Sequence, residues 1–158
     1  MGLDIYCEGF EGVRVGSYST VQEIRKHWIG AYIQYLRSIQ YKEQEIEKLE
    51  ITIQKKFVGK LEGSVMYSEN IDYELFSELR IEEQGFDGLD KFVNHSDCEG
   101  EWPFEDVGEI LTTLGLIRNF LKPITFDWHF YKKEGADRYY LEDMFEYSVQ
   151  YEKDVFLC

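Results

Sequence analysis

The sequence is poor in three things: long apolar runs, cysteine and, over one third of the chain, basic residues. No apolar run approaches the roughly 20 residues that a membrane-spanning helix needs, so we expect no membrane segment. The cysteines, Cys7, Cys98 and Cys158, are odd in number and far apart. We expect them to be reduced thiols of a cytoplasmic protein rather than a disulfide framework. No internal repeat or low-complexity linker divides the chain.

The remaining composition is typical of a folded domain. Of 158 residues, 44% are hydrophobic and 16% are aromatic, which is far too apolar for a disordered chain. A chain of this length can bury a sizeable core. We therefore expect residues 1–158 to form a single domain.

The net charge of −14 is unevenly distributed. Residues 1–60 carry nine basic and eight acidic residues, whereas residues 62–109 carry two basic and fifteen acidic residues, for a net −13. Such a field repels nucleic acid and anionic membranes and attracts a basic protein. We predict a basic protein partner, with no direct binding to nucleic acid or to membrane. Solubility alone would also account for the charge, and the oligomeric state stays open.

The N-terminal third predicts two strands and a helix. Weak alternation and glycine positions predict strands at 3–8 and near 12–16. A capping box at Thr20 and Glu23 predicts the start of a helix. Apolar residues then recur at helical spacing: Val21, Ile24, Trp28, Tyr32, Tyr35, Leu36 and Ile39. Residues 41–57 keep that spacing, and the pattern leaves open whether they extend this helix or form a second one.

The rest of the chain alternates helices and strands. Leu89–Val93 predicts a strand, and Pro103 suits the first turn of a helix whose apolar stripe continues to Pro123. A final helix is predicted at 137–151 and a closing strand at 155–157. Weaker patterns predict a strand at 64–67, a helix at 73–79 and a strand at 124–130. The fold class is therefore α+β, with a small antiparallel or mixed sheet packed against several helices.

The segment Asn94–Pro103 concentrates unusual side chains directly before a helix. His95, Asp97, Glu99 and Glu101 are spaced by two, so in an extended segment they would point to one side and could hold a divalent ion. However, an EF-hand alignment on Gly100 puts His95 where Asp belongs, and no second Cys/His pair exists for zinc. We expect neither a metal nor a cofactor.

Cys98 and His95 also raise the possibility of a thiolate nucleophile with its base. The neighbouring acids would raise the thiol pKa and oppose thiolate formation, so we predict no catalytic residue. A structural interpretation fits as well: acids before a helix are stabilised by its positive end. Gly100 can take a positive φ, and Trp102 can anchor the loop in the core.

Two landmarks resemble an uncharacterised bacterial family. They are VRVGSYSTVQEIR at Val13–Arg25 and HSDCEGEWPFEDV at His95–Val107. Members of that family start with a strand, and some are described as predicted immunity proteins, which neutralise a toxin by binding it. The Pro-Phe after Trp102 departs from the family's Ser-Pro. The resemblance implies binding residues, and these are Gly16, Ser17, Tyr18, Arg25, His95, Ser96, Asp97, Gly100, Glu101 and Trp102.

The leading hypothesis is a non-catalytic cytoplasmic binding protein, an immunity or inhibitor protein that neutralises a basic partner. Three alternatives stay open: a metal-dependent hydrolase centred on His95–Glu101, an acidic DNA mimic, and a structural or packaging component of an assembly. Because the resemblance joins the two landmarks, we further predict that Arg25 contacts Asp97 or Glu101, since the guanidinium fork matches a carboxylate.

Overall fold

The structure is a computed structural model that describes residues 3–16, 18–53, 81–93, 100–121 and 140–158. Within these residues, four strands form one antiparallel sheet: β1 (Leu3–Cys7), β2 (Phe10–Gly16), β3 (Gly100–Trp102) and β4 (Val155–Leu157). Their order is β2-β1-β4-β3. The α+β class with a small antiparallel sheet is therefore confirmed. The weaker predictions at 64–67, 73–79 and 124–130 lie outside the described residues.

The sheet has one buried face. Ile5 pairs with Leu157, while Val155 stands between Cys7 and Trp102. All five side chains are at most 4% exposed. Because successive side chains on a strand point to opposite faces, the residues between them face outward. The closing strand predicted at 155–157 is thus a central strand of this sheet.

Two separate helices follow the first hairpin, which answers the question that the pattern left open. α1 covers Tyr18–Ser38 and α2 covers Glu43–Ile53. Gln40 adopts φ 58°, and the Tyr41 amide donates to the Leu36 carbonyl at 2.9 Å. This is the Schellman arrangement that ends a helix. Buried apolar residues of the two helices include Ile24, Trp28, Tyr32, Leu36, Ile46 and Leu49.

The predicted strand at Leu89–Val93 is wrong, because these residues belong to a helix, α3 (Phe86–Val93). Phe86, Leu89, Phe92 and Val93 are buried on one helical face. The predicted strand started at Leu89 and left out Phe86. With Phe86 included, the buried residues recur at the helical spacing i, i+3, i+6, i+7. Gly88 lets α3 lie against the next helix, since an added Cβ would meet the backbone of Glu109.

The next helix, α4, covers Phe104–Ile117, and a 3₁₀ turn follows at Arg118–Phe120. The apolar stripe was predicted to run to Pro123, so the predicted helix is too long. Pro103 lies in extended conformation directly before α4. The Phe104 amide, one of the donors that a helix start leaves without a partner, donates to Asp154 Oδ1 at 3.0 Å.

The last helix, α5, covers Tyr140–Tyr151. Leu141, Met144 and Ser148 are buried as the periodicity predicts, whereas Tyr151 is 53% exposed. Phe145, which the predicted face omitted, is fully buried. α1, α4 and α5 cover the inner face of the sheet, and α3 packs between α1 and α4. Among the described residues, no helix has the length and apolarity that crossing a membrane requires.

Candidate functional site

A stack of four aromatic rings connects α1 to the strand that carries the second landmark. The rings of Trp28 and Phe92 are 3.8 Å apart and nearly parallel, and the Phe92 and Trp102 centroids are 5.6 Å apart. Phe145 meets Trp102 edge-on at 5.9 Å. The Trp102 indole N–H donates to the Lys91 carbonyl at 3.2 Å, which satisfies the polar end of a buried ring. The predicted anchoring of Trp102 in the core is confirmed.

Arg25 lies on the same side of α1 as Trp28, because residues three apart are neighbours on a helix. Its side chain is only 4% exposed. A guanidinium keeps its charge at every relevant pH, so burial at this level is stable only with charge-compensating neighbours. Asp97 lies outside the described residues, and the predicted contact of Arg25 with Asp97 or Glu101 stays a prediction.

Lys91 fastens α3 to α4. Its ammonium donates to Asp106 Oδ1 at 2.9 Å and to Glu109 Oε2. Burial lowers the pKa of Lys91, but the hydrogen bonds to Glu109 and Asp106 more than offset it, so the pKa is raised overall. Lys91 is therefore charged at neutral pH, and both of its partners lie on α4.

The surface around Lys91 is strongly acidic. In residues 81–93 and 100–109, Lys91 is the only basic residue. Seven carboxylates of α3, of α4 and of the turn before α3 form what we call the acidic face: Glu82, Glu83, Asp87, Asp90, Glu105, Asp106 and Glu109. Four of them, Glu82, Asp87, Glu105 and Glu109, are exposed. Because Lys91 joins the two helices, the charges of α3 and α4 lie on adjoining, packed elements.

The predicted site residues of the first landmark lie at the junction of β2 and α1. Gly16 ends β2 opposite Leu3, and Tyr18 is the first residue of α1. Ser17 lies outside the described residues. The structure thus places Gly16 and Tyr18 on either side of a strand-to-helix junction, and the helix begins two residues before the predicted cap Thr20.

The second landmark is described only from Gly100 onward, so His95, Ser96 and Asp97 lie outside the described residues. Gly100 has φ 145°, which confirms its expected positive φ. Glu101 is exposed and stands opposite Phe156. The structure therefore brings Trp102 of the second landmark close to the side of α1 that carries Arg25 and Trp28. Phe92 lies between Trp28 and Trp102.

Phe92, Lys91 and Asp154 connect these parts, and none was predicted to do so. The helical spacing from Phe86 to Val93 could have revealed Phe92 as a core residue. Lys91 is conspicuous as a lone base among acids. Asp154 accepts a hydrogen bond at the start of α4 although it lies 50 residues further along the chain. Because the two residues are so far apart in sequence, no local sequence pattern could predict this contact.

The described residues include two cysteine thiols, Cys7 and Cys158. Among the described residues, no group of three or more His, Cys, Asp or Glu side chains is placed to hold a metal ion. Burial raises the pKa of the Cys7 thiol, and Asp154 and Glu8 add to this while Lys153 opposes it. Cys7 is therefore protonated at neutral pH. Cys158 is exposed, and Cys98 lies outside the described residues.

Comparisons with known proteins return no relative: no family model, no curated protein and no solved structure matches the chain.

Proposed function

We propose that this chain is a non-catalytic binding protein of the cytoplasm that captures a basic protein, as an immunity or inhibitor protein does. The observation that carries the proposal is the acidic face. Five of its seven carboxylates lie on two helices joined through Lys91, which donates to Asp106 and Glu109. A concentrated negative surface attracts a basic partner over distance and raises the association rate.

The packing of α3 on α4 makes the acidic face suited to this task. Thr113 Oγ1 donates to the Gly85 carbonyl at 2.5 Å, which fixes the start of α3 to the middle of α4. Phe92 and Leu89 of α3 are buried below the charges. A surface that is already ordered loses little conformational entropy on binding. Its exposed carboxylates therefore contribute mainly to association rate and to choice of partner.

Two double variants with the same net charge test the proposal. Asp87→Asn with Glu105→Gln removes two exposed charges from the acidic face. Glu47→Gln with Glu146→Gln removes two exposed charges from α2 and α5. Each protein serves as bait in the native lysate. Captured proteins are identified and purified, and their association rates with each variant are measured.

We expect the wild type and the α2/α5 control to capture the same basic protein. The acidic-face variant should associate at least about threefold more slowly, and the wild-type rate should fall steeply with salt, since exposed charges are screened over about 8–10 Å at physiological ionic strength. Equal rates for the two variants, or a rate independent of salt, would contradict the role of the acidic face.

A further inference from the structure

A row of outward-facing residues crosses all four strands of the sheet. Tyr6 stands opposite Phe156, and Phe156 stands opposite Glu101. On the other side of Tyr6 lies Gly12, where an ideal Cβ would be 3.4 Å from the Tyr6 Cβ. Gly12, Tyr6, Phe156 and Glu101 therefore form one continuous strip on the face opposite the core.

The centre of this strip is a stacked pair of rings, which we call the aromatic platform. The centroids of Tyr6 and Phe156 are 5.3 Å apart, with 23° between the ring planes. Tyr6 is 43% exposed, whereas its neighbours Ile5 and Cys7, on the core side, are 1% exposed. The glycine at position 12 places no side chain beside Tyr6. Exposed aromatic residues of this kind are enriched in protein interfaces.

The charged residues around the aromatic platform determine which kind of charged group can bind to it. Glu101 is exposed at the end of the strip, and Glu11 is exposed beside Gly12. Asp4 is the next outward residue on β1, with Arg14 opposite it in the strand register. The faces of aromatic rings are themselves negative. Among the described residues around the platform, three are acidic and one, Arg14, is basic, so their net charge favours a cation over an anionic surface.

We propose that the aromatic platform is the docking site for an arginine side chain of a basic protein partner. This inference rests on the proposed function and locates a specific contact beside the acidic face. Arginine fits better than lysine because its planar guanidinium stacks on a ring while its N–H groups donate to a carboxylate such as Glu101. A second copy of the chain would bring like charges together.

The test uses fluorescent octa-arginine and octa-lysine peptides as probes at low salt, with anisotropy as the readout. Tyr6→Ser removes half of the platform. Tyr151→Ser is the matched control, because Tyr151 is 53% exposed and its ring also contacts another, Tyr147, at 4.5 Å. We expect Tyr6→Ser to weaken octa-arginine binding about two- to fivefold, the size of an exposed cation–π contact. Octa-lysine should be affected less, and Tyr151→Ser should leave both affinities unchanged.

Backbone amide shifts of the ¹⁵N-labelled wild type locate the peptide without any substitution, and Tyr6→Phe should retain the affinity. The inference predicts the largest octa-arginine shifts at Tyr6, Phe156 and Glu101. If octa-arginine binds but the shifts map to α3 and α4, and the two Ser variants bind alike, the platform is not the docking site while the acidic-face proposal stands. If neither peptide binds the wild type, both proposals fail.

Discussion

The same substitution, glycine to alanine, should have opposite effects at two glycines of this fold. Gly88 is buried where α3 crosses α4, and an ideal Cβ there would lie 2.5 Å from the carbonyl carbon of Glu109 and closer still to its oxygen and to the Thr113 hydroxyl. Gly115 is exposed on α4, and a Cβ there would meet nothing within 4 Å. Both lie inside helices, so the intrinsic preference of a helix for alanine applies to both.

The magnitudes follow from these surroundings. Alanine is preferred over glycine in a helix interior by about 1 kcal/mol. Gly115→Ala should therefore raise the free energy of unfolding of the protein by about that amount. At Gly88, α3 and α4 must separate by about 1 Å to reach ordinary contact, and overpacking of this kind costs about 1–3 kcal/mol. Separation also weakens the bond from Thr113 to Gly85, worth about 0.5–1.5 kcal/mol. After the helix preference is subtracted, Gly88→Ala should destabilise the protein by about 0.5–3.5 kcal/mol.

Urea denaturation followed by circular dichroism measures both changes. For a chain of this length, each kcal/mol corresponds to about 2–4 °C in Tm, so a thermal scan gives an independent reading. Because α3 and α4 carry the acidic face, Gly88→Ala should also slow association with the partner. If the Gly88→Ala protein were as stable as the Gly115→Ala protein, α3 and α4 could not approach each other as closely at Gly88 as the structure shows.

The remaining predictions concern a buried charge, a helix end and two thiols. Arg25→Ala should cost about 3–5 kcal/mol if it strands a buried carboxylate; urea titrations of Arg25→Ala, Asp97→Asn and the double variant should show coupling if Asp97 is the partner, and strict additivity would exclude it. Gln40→Gly should stabilise the protein by up to about 1 kcal/mol because Gln40 holds a positive φ, which a rise in Tm would verify. At neutral pH, iodoacetamide should alkylate exposed Cys158 well before Cys7, whose raised pKa keeps it protonated. Mass spectrometry of peptides will show the order, and Cys7 should begin to react only as the pH rises above the ordinary thiol range.

The sequence predicted those elements whose burial is one-sided and local. β1 and α1 each expose one face and bury the other, so their periodicity carries the assignment. The helix of Phe86–Val93 was not predicted because Leu89–Val93 alone, without Phe86, is too short to show the helical spacing of the buried face. β3 is only three residues long, which is too short to show an alternating pattern. Its partner strand, β4, begins about 50 residues later in the sequence.

The candidate site was predictable to a similar extent. The cluster of special residues before Pro103 correctly marked Trp102 as an anchor. Its contacts with Phe92 and Phe145 bring together residues from α3 and α5, and no spacing in the sequence encodes such a meeting. The aromatic platform was missed for the same reason: Tyr6 and Phe156 are about 150 residues apart and meet only across paired strands.

The strand order also constrains how the protein is made. β4 lies between β1 and β3, so the N-terminal hairpin and the strand carrying Trp102 remain unjoined until Val155–Leu157 leaves the ribosome. At about 5–20 residues per second, the ribosome makes β4 roughly eight to thirty seconds after β1. During that interval, Ile5 and Cys7 have no partner strand on one side, and the hairpin edge is open to pairing with other chains. Contacts this distant in sequence form slowly, so the β1 edge of the hairpin stays open until the β4 strand has been made.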